Sequence, residues 1–519
     1  MAKLSDVNAH DLRDAIALGC QTMGNIFNAD DNHIGFFGSS VYPEARLSFS
    51  PVHSESHIPG RHLNGLLNAE AAAGIRLDEQ VVERHAAAAF FSYSGPTPMP
   101  LNRALIDGPL HNFHTHNIRE GFHALYAVAA YRGSQQALDL AAASIDTILQ
   151  RWSPNDGWDS AYFSDELGLE FGEPNFIVGV ARAIGPLVKL YRATGLQSAL
   201  ELAVLLAQKT TDAFFTAAGT YDRETFGAHT HSVTCVMSSL AQLADLQQNG
   251  PLLERVRAFY DNGLWDFRDA LGWVLETTHD DSDPDRGEIN NTGDIVETAL
   301  ILGRWGYTDY YQDAERILRG HMLPAQLRDT SFISEPENPA NEDGRRDMAR
   351  RHRGAFGFPA PYGHQTLDRE AVGFNMDIVG GGVGSLCEAY REAVRTDRAG
   401  HWVNLFFDRE TDAVQVESPY THNALKVRVK KPGPLYVRQP SWAKGVALDG
   451  ADKGPIRHNG YWLVANPPLN RPLTFRFALA EEEITLHHRT RRIRARLQGD
   501  RVVAMENFGA NFTFFDPLD

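Results

Sequence analysis

The chain has 519 residues, of which 43% are hydrophobic and 22% are charged, and its formal net charge is −17. This length exceeds what one compact core supports, so the chain is expected to divide into two large units. The acidic balance argues against a nucleic-acid or anionic-membrane partner, and because no run of about 18 apolar residues occurs, no transmembrane helix is expected.

The N-terminal segment MAKLSDVNAHDLRDAIALGC lacks the basic start, uninterrupted apolar core and small-residue cleavage site of a secretory signal. The three cysteines, Cys20, Cys235 and Cys387, are odd in number and far apart in sequence. They therefore cannot form a complete disulfide framework or a Cys-rich zinc site. These features predict a cytoplasmic protein. The sequence does not decide between a monomer and a homodimer.

Apolar residues recur at helical spacing from the N-terminus to about residue 395. The helical segments run in pairs, such as EGFHALYAVAAYRG followed by SQQALDLAAASIDTILQRW, and short turns join them, most of which carry Gly or Ser. About eleven helices in hairpins are expected to close into an (α/α)6 toroid. The loops at one end of its inner helices would then form a bowl-shaped cleft.

From about residue 401 the pattern changes to a period of two residues. Segments such as HWVNLFFD, ALKVRVKKPGPLYVRQP and GYWLVANPP are separated by Pro, Gly and Asp, which is typical of an antiparallel β-sandwich. The sequence therefore predicts a multidomain α+β chain, with the catalytic toroid at residues 1–398 and the β-sandwich at residues 399–519.

Two His-Thr-His steps, in NFHTHNIREG and GAHTHSVTCV, each precede a predicted helix. At the mouth of a toroid, His114, His116 and His229 are expected to contact a sugar, and His231 to take part in proton transfer. Alternatively, the imidazoles could hydrogen-bond loop carbonyls, or the two pairs could bind a metal ion. Since no cysteine or H-E-x-x-H spacing completes a ligand set, the prediction is a site without a metal or other cofactor.

The segment ETTHDDSDPDRGEINNTGDIVETALILGRWG carries a group of carboxylates. Asp294 and Glu297 are three residues apart and share one helix face, while Glu288 precedes Asp294 by six residues. Carboxyls that lie close together in a cleft acquire unequal pKa values, so that one can act as acid and the other as base or nucleophile. In the alternative interpretation, Asp294 caps a helix, and the acidic residues of the first turn interact favourably with the helix dipole.

The segment GFNMDIVGGGVGSLCEAYREAV places Asp377 before three consecutive glycines and a helix. Such a run lets the backbone approach a ligand closely, although it would also suit the packing of small residues against a neighbouring helix. Asp377 is therefore a further candidate catalytic carboxylate.

Two other segments carry predicted substrate-binding groups. SPVHSESHIPGRHLNGLLNAE has little apolar content and is interpreted as a loop that presents His57 and Arg61. RWSPNDGWDSAYF contains Trp158 and Asp159, which could form a platform for a sugar ring or belong to the core. The long segment 329–373 is expected to form a lid or arm, and its cluster GRRDMARRHRG would either attract a carboxylate or lie exposed in a loop.

With these residues in view, the chain resembles the six-hairpin glycosidase superfamily and, within it, glycoside hydrolase family 127. The resemblance extends from about residue 110 to the end and rests on HTHS at 229–232, ETA at 297–299, the glycine-rich helix start at 377–386, and the segments LYVRQPSWA and NGYWLV. It implies an (α/α)6 toroid with β-sandwich modules and the release of terminal sugars, typically β-L-arabinofuranose, by a zinc-bound cysteine nucleophile. It also implies that Glu297 and His231 belong to the cleft and that Glu288 is the counterpart of the acid/base.

The sequence departs from that family at the metal centre. The family has a cysteine where residues 297–299 of this chain have none, and adjacent cysteines where residues 377–379 have none, while Cys387 lies on the following helix. The zinc–thiolate mechanism is therefore not expected here.

The sequence predicts an exo-acting glycoside hydrolase that releases a terminal sugar or uronic acid from an oligosaccharide or glycoside. Glu288 or Asp294 would be the general acid and Asp377 or Glu297 its partner. The alternative is a polysaccharide or oligosaccharide lyase that eliminates at a uronate with a His or Tyr base, which the histidines and the basic cluster favour and the crowded carboxyls disfavour. A non-catalytic sugar-binding protein is a third class.

Overall fold

The computed structural model describes residues 3–173, 175–279, 284–487 and 491–518. Helices dominate these ranges up to residue 393, and strands dominate after it. The α-helices are α1 (Leu12–Met23), α2 (Ile58–Ala73), α3 (Glu79–Ser92), α4 (Ile118–Arg132), α5 (Gln135–Arg151), α6 (Ile184–Thr194), α7 (Gln197–Ala213), α8 (Arg223–Phe226), α9 (Thr230–Gln247), α10 (Gly250–Asp261), α11 (Ile289–Arg304), α12 (Asp309–Ile317), α13 (Met348–His352) and α14 (Ile378–Ala393).

Six of these helices form a closed inner ring. Along the sequence α2, α4, α6, α9, α11 and α14 each contact the next, and α14 contacts α2. Helices α3, α5, α7, α10 and α12 each pack outside the inner helix that precedes them, while α1 packs on α14 and α2. Helix α1 therefore occupies the outer position beside α14, the last of the inner helices.

Glycine residues end three of the inner helices. Gly74, Gly133 and Gly195 follow α2, α4 and α6 with φ of 60°, 64° and 74°, the left-handed conformation that stops a helix and reverses the chain. Because an outer helix of opposite direction separates successive inner helices, the inner helices run parallel to one another. Their first turns meet at one end of the ring, which we call the mouth.

The strands are short. They are β1 (Gly38–Tyr42), β2 (Arg46–Ser48), β3 (Asn102–Arg103), β4 (Leu110–His114), β5 (Trp152–Ser153), β6 (Gly157–Trp158), β7 (Glu170–Gly172), β8 (Val372–Asn375), β9 (Val394–Asp397), β10 (Gly400–Val403), β11 (Arg409–Glu410), β12 (Val414–Glu417), β13 (Leu425–Val429), β14 (Leu435–Arg438), β15 (Ala447–Asp449), β16 (Ile456–His458), β17 (Tyr461–Val464), β18 (Pro472–Arg476), β19 (Glu481–His487), β20 (Arg492–Gln498), β21 (Arg501–Met505) and β22 (Asp516–Pro517).

The C-terminal strands form three sheets. Two have five strands each, in the orders β16-β17-β14-β10-β9 and β11-β12-β13-β18-β15, and their apolar side chains form a hydrophobic cluster of their own. The third, β19-β20-β21-β22, contributes its apolar side chains to the large cluster of the helical region. The predicted order of a helical region and a strand-rich C-terminal region is confirmed. The division at residue 398 stays a prediction, although α14 ends at Ala393 and β9 begins at Val394.

Helix α2 corrects the interpretation of residues 50–70 as a loop. The helix begins after His57 with Pro59 in its first turn, and it is the inner helix that contacts both α14 and α4. Its polar residues Arg61 and Asn64 are buried because they face the interior of the ring rather than solvent. Among the described residues, no helix has both the length and the apolar character needed to cross a bilayer.

Candidate active site

A cavity of about 180 Å³ lies at the mouth of the ring, and we call it the mouth cavity. It is lined by Phe37, His53, His57, Arg61, His116, His229, His231, Glu276, Glu288, Phe358, Asn375, Asp377 and Ile378. Seven of the residues singled out in the sequence therefore lie together, although they come from segments up to 320 positions apart (His57 to Asp377).

The starts of the inner helices position these side chains. His57 directly precedes α2, His229 precedes α9, Glu288 precedes α11 and Asp377 precedes α14. His116 lies in the short 3-10 turn Thr115–Asn117 that leads into α4. Because the positive ends of several helix dipoles converge here, the mouth stabilises negative charge.

Asp377 is held as a carboxylate by two basic side chains. His57 Nε2 lies 3.2 Å from Asp377 Oδ2, and Arg61 Nε lies 3.3 Å from the same oxygen. Burial alone would raise the pKa of Asp377, but the hydrogen bond with His57 and the charges of His57 and Arg61 lower it to about 2. Asp377 is therefore ionised at neutral pH.

Glu288 has the opposite environment. It is buried, and its carboxylate accepts a hydrogen bond of 2.7 Å from Asn290 Nδ2. Burial and the nearby carboxylates of Glu276 and Asp377 raise the pKa of Glu288 to about 8. Glu288 therefore carries a proton at neutral pH, beside an ionised Asp377 in the same cavity.

His231 bridges Glu288 to a third carboxyl. Its Nδ1 lies 3.6 Å from Glu288 Oε1 and its Nε2 lies 3.6 Å from Asp294 Oδ2. Asp294 also accepts a hydrogen bond of 2.9 Å from Thr234 Oγ1. Burial, together with the charge of Glu297, raises the pKa of Asp294 to about 7 despite the nearby Arg119. The predicted carboxylates thus form a chain that leads from the mouth into the ring.

Asp294 and Glu297 line a deeper space rather than the mouth cavity. This space, of about 30 Å³, lies on the ring axis and is also lined by Arg61 and Arg119. Glu297 accepts a hydrogen bond of 2.7 Å from Ser385 Oγ. A volume of this size accommodates a water molecule but no sugar ring.

Sequence reasoning missed Glu120, which lies under the mouth cavity. It is fully buried, and its Oε1 lies 3.0 Å from Arg119 Nη1, 3.0 Å from Arg182 Nη2 and 3.1 Å from Arg61 Nη2. Burial would raise the pKa of Glu120, but Arg182, His57 and Arg61 outweigh it and hold the pKa well below its usual value. The available signal was its place four residues after His116, in the first turn of α4.

The imidazoles of His116 and His229 are each oriented by a hydrogen bond at Nδ1. His116 Nδ1 is 3.0 Å from the Val178 carbonyl oxygen, and His229 Nδ1 is 2.7 Å from Ser232 Oγ. Burial and Arg182 hold the pKa of both far below the usual value, to about 3 for His229, so both are neutral. His114 packs against His116, with ring centroids 6.0 Å apart, and does not line the mouth cavity.

Trp158 and Asp159 lie away from the mouth cavity. Trp158 packs edge-to-face on Phe113 and Phe163 in an aromatic cluster, with 8% of its surface exposed. Asp159 Oδ2 forms an ion pair of 3.0 Å with Arg151 at the surface. The structure therefore does not bring the predicted sugar platform together with the histidines and carboxylates.

Three arginines of the basic cluster at residues 345–353 form ion pairs with neighbouring carboxylates. Arg345 pairs with Glu44, Arg350 with Asp347, and Arg351 with Asp343. Within the described residues, none of the cluster's side chains lines the mouth cavity. This part of segment 329–373 thus gives no support for a carboxylate-binding role, whereas Phe358 of the same segment does line the cavity.

Within the part of the chain that the structure describes, two groups of side chains could hold a metal ion. His53, His57 and His116 form one, and His229, His231 and Glu288 the other, each with ligand atoms within 4.8 Å of one another. The three cysteines are all buried, and burial raises the pKa of the Cys20 and Cys235 thiols. Since no cysteine lines the mouth cavity, its side chains do not fit a zinc-bound cysteine nucleophile.

No known family model and no curated protein matches the sequence, but solved structures match the fold. A GH127 β-L-arabinofuranosidase from Geobacillus stearothermophilus T6 superposes with a TM-score of 0.57 at 15% identity, over 94% of this chain and 80% of that one. The chain has the fold of family 127. A second β-arabinofuranosidase of family 127 matches with a TM-score of 0.55 at 13% identity, over 86% and 74% of the two chains.

A third structure, described as a glycoside hydrolase, has a TM-score of 0.52 at 13% identity and covers 85% of this chain and 76% of its own. The resemblance inferred from the sequence is therefore confirmed at the level of the fold. The resemblance was recognised from a few short segments, although fewer than one residue in six is identical.

Proposed function

We propose that the protein is an exo-acting glycoside hydrolase, built as an (α/α)6 toroid with a β-sandwich, in which Glu288 is the general acid and Asp377 its carboxylate partner. One observation carries this proposal: two buried carboxyls line one cavity in opposite environments, Asp377 between His57 and Arg61, and Glu288 against other carboxylates. A proton-bearing acid beside an ionised carboxylate is the arrangement that glycoside hydrolysis requires.

The proposed reaction uses two carboxyl groups of the mouth cavity. Glu288 donates its proton to the glycosidic oxygen as the bond to the anomeric carbon breaks, and the leaving group departs as an alcohol. Asp377 faces the positive charge that develops on the sugar and either attacks the anomeric carbon or activates the attacking water. His57 and Arg61 keep Asp377 ionised and oriented.

The size of the mouth cavity supports action on a terminal sugar. Its volume of about 180 Å³ lies below the range of about 300–1,000 Å³ that is usual for drug-sized ligands. A single sugar unit suits such a space, and the neutral imidazoles of His116 and His229 offer ring nitrogens to its hydroxyls. The names of the matching structures make arabinofuranosides the first substrates to try.

The proposed chemistry relies on carboxyl groups and needs no metal or other cofactor. His57, a member of one candidate metal group, has Nδ1 3.0 Å from Asn117 Oδ1 and Nε2 next to Asp377, so both of its ring nitrogens are already occupied. The elimination alternative keeps the support of the histidines, which line the mouth cavity, but not that of the basic cluster 345–353, whose residues do not line it.

The test is a screen of 4-nitrophenyl glycosides of pentoses, hexoses and uronic acids, beginning with arabinofuranosides. Glu288→Gln and Asp377→Asn should each lower kcat/KM about 10²- to 10⁴-fold, the usual contribution of a catalytic acid or base. The matched control is Asp139→Asn, which changes an exposed carboxylate on outer helix α5. Unchanged rates in both site variants would refute the assignment.

Two further arms of the same screen separate the alternatives. Dialysis against a chelator should leave the rate unchanged, whereas a loss that zinc restores would point to the histidine groups as a metal centre. An unsaturated product, detected by its ultraviolet absorbance, would indicate elimination. Proton NMR of the first sugar released then shows whether Asp377 attacks directly, with retention, or activates water, with inversion.

A further inference from the structure

A second pocket lies next to the mouth cavity. It has a volume of about 200 Å³ and shares Phe358 and Asn375 with the mouth cavity as a common wall. We call it the outer pocket, and the lining residues that matter below are Ser40, Arg286, His364 and Thr366.

The common wall lies directly beside the proposed acid. The amide N–H of Gly287 donates to the Pro359 carbonyl at 2.9 Å, and that of Ile289 donates to the Gly357 carbonyl at 3.2 Å. The two neighbours of Glu288 are thus bonded to the two neighbours of Phe358. Since a general acid protonates the oxygen that joins the two halves of its substrate, a pocket beside this wall is where the departing half would lie.

The outer pocket contains buried polar groups that lack partners. His364 and Thr366 are 5% and 6% exposed. Among the described residues, no group hydrogen-bonds His364 Nε2 or Thr366 Oγ1. Leaving such groups unpaired costs free energy, so both point to a ligand that supplies hydrogen bonds.

Two arginines, Arg286 and Arg369, line the outer pocket. Arg286 forms an ion pair with Glu276, which lines the mouth cavity, and its guanidinium lies 3.9 Å from the centre of the Phe358 ring. The charge of Arg286 is therefore neutralised, and its guanidinium packs on the aromatic wall. The unpaired polar atoms of His364 and Thr366 fit a ligand that carries hydroxyl groups.

We infer that the outer pocket binds the leaving group of the substrate, a second sugar unit whose hydroxyls pair with His364 and Thr366 and which packs against Phe358. The inference rests on the proposed function. In the reaction, the oxygen of this second sugar takes the proton of Glu288 and the sugar departs as an alcohol, while water supplies the oxygen of the released terminal sugar. The substrate is thus a disaccharide or the end of a longer chain.

The experiment uses the full chain with Glu288→Gln, so that substrates bind without turnover. Isothermal titration calorimetry compares α- and β-linked disaccharides of arabinose, xylose, galactose and glucose with the methyl glycoside of each sugar. One disaccharide should bind at least about 10-fold more tightly than its methyl glycoside. Adding Thr366→Val should reduce that advantage about 3- to 10-fold, the loss of one hydrogen bond, and leave methyl glycoside binding unchanged.

The controls separate the failure of this inference from the failure of the proposed function. Thr474→Val, in strand β18 outside both pockets, should leave the disaccharide advantage intact, and Ser40→Ala serves as a second pocket variant if Thr366→Val does not fold. Methyl glycoside binding without any gain for disaccharides, or a gain that neither pocket variant reduces, overturns the subsite alone. Absence of binding by every sugar overturns both.

Discussion

At the scale of single residues, the division of roles between Glu288 and Asp377 comes from their neighbours. Both are carboxyls that directly precede an inner helix, and both are buried. His57 and Arg61 surround Asp377, whereas Glu288 faces Glu276 and Asp377. The pKa values of the two groups therefore separate, to about 2 and about 8.

This separation predicts the pH dependence of kcat/KM. Glu288 must keep its proton to act as an acid, so activity should fall as the pH rises through about 8. Because the charge of Glu276 helps to raise the pKa of Glu288, Glu276→Gln should move this alkaline limb to lower pH. The measurement is the pH profile of kcat/KM for both proteins, with Asp139→Asn as the control. An alkaline limb that stays in place in Glu276→Gln would contradict the assignment of Glu288.

At the scale of elements, the close approach of α2 and α4 fixes the mouth. A Cβ atom on Gly60 would lie 1.8 Å from the Glu120 carbonyl oxygen, so only glycine permits this contact. Gly60→Ala should therefore lower the free energy of unfolding by about 1–3 kcal/mol or more, as in other overpacked interiors. It should also reduce activity, since Arg61 on α2 and Glu120 on α4 both move.

Gly250 offers a matched control for this prediction, which urea denaturation tests. It begins helix α10, and a Cβ atom there meets nothing within 4 Å. Gly250→Ala should leave stability unchanged or raise it by up to about 1 kcal/mol, because alanine favours the helix. Equal effects of the two substitutions would show that the α2–α4 contact is not tight.

The hairpins were predictable because most inner and outer helices carry apolar residues at helical spacing. Helix α2 was not, since an inner helix is covered on all sides and its polar face points into the ring, which removes the amphipathic signal. Glu120 was also missed, because two of its arginine partners, Arg61 and Arg182, come from other segments and reach it only when the ring closes.

Site residues were easiest to recognise where their position relative to a predicted helix was clear. His229 and Asp377 were recognisable because the sequence predicts a helix directly after each, and helix starts meet at the mouth of such a ring. Trp158 had only its residue type to suggest a role, and tertiary packing placed it among Phe113 and Phe163. Position relative to the fold was therefore a better guide than residue type.

At the scale of the whole molecule, the C-terminal region is tied to the helical ring by shared packing and a buried charge. Leu486, Ile493 and Leu497 of the last antiparallel strands belong to the hydrophobic cluster of the ring. The five-stranded sheets have their own cluster, but Arg438 of β14 reaches the buried carboxylate of Glu315 on α12. The two regions are thus expected to unfold together.

Glu315 provides the test of this coupling. Its carboxylate lies 2.9 Å from Arg319 Nε, pairs with Arg438, and accepts the amide N–H of Phe406 at 3.0 Å, with no part of the residue exposed. Glu315→Gln removes the negative charge and leaves two buried guanidinium groups, so it should destabilise the fold by about 3–5 kcal/mol. Asp449→Asn, at the exposed pair with Arg476, should cost about 1 kcal/mol or less.

Because Glu315 does not line the mouth cavity, the folded Glu315→Gln protein should keep its activity while its urea midpoint falls. Monitoring the helical signal by circular dichroism and the peptides of the C-terminal region by hydrogen–deuterium exchange with mass spectrometry distinguishes the possible outcomes. If the urea midpoints of both transitions fall together, the stability of the helical ring depends on the C-terminal sheets. A midpoint no lower than that of Asp449→Asn, or a ring transition that does not move, would show that the ring is stable independently of the C-terminal region.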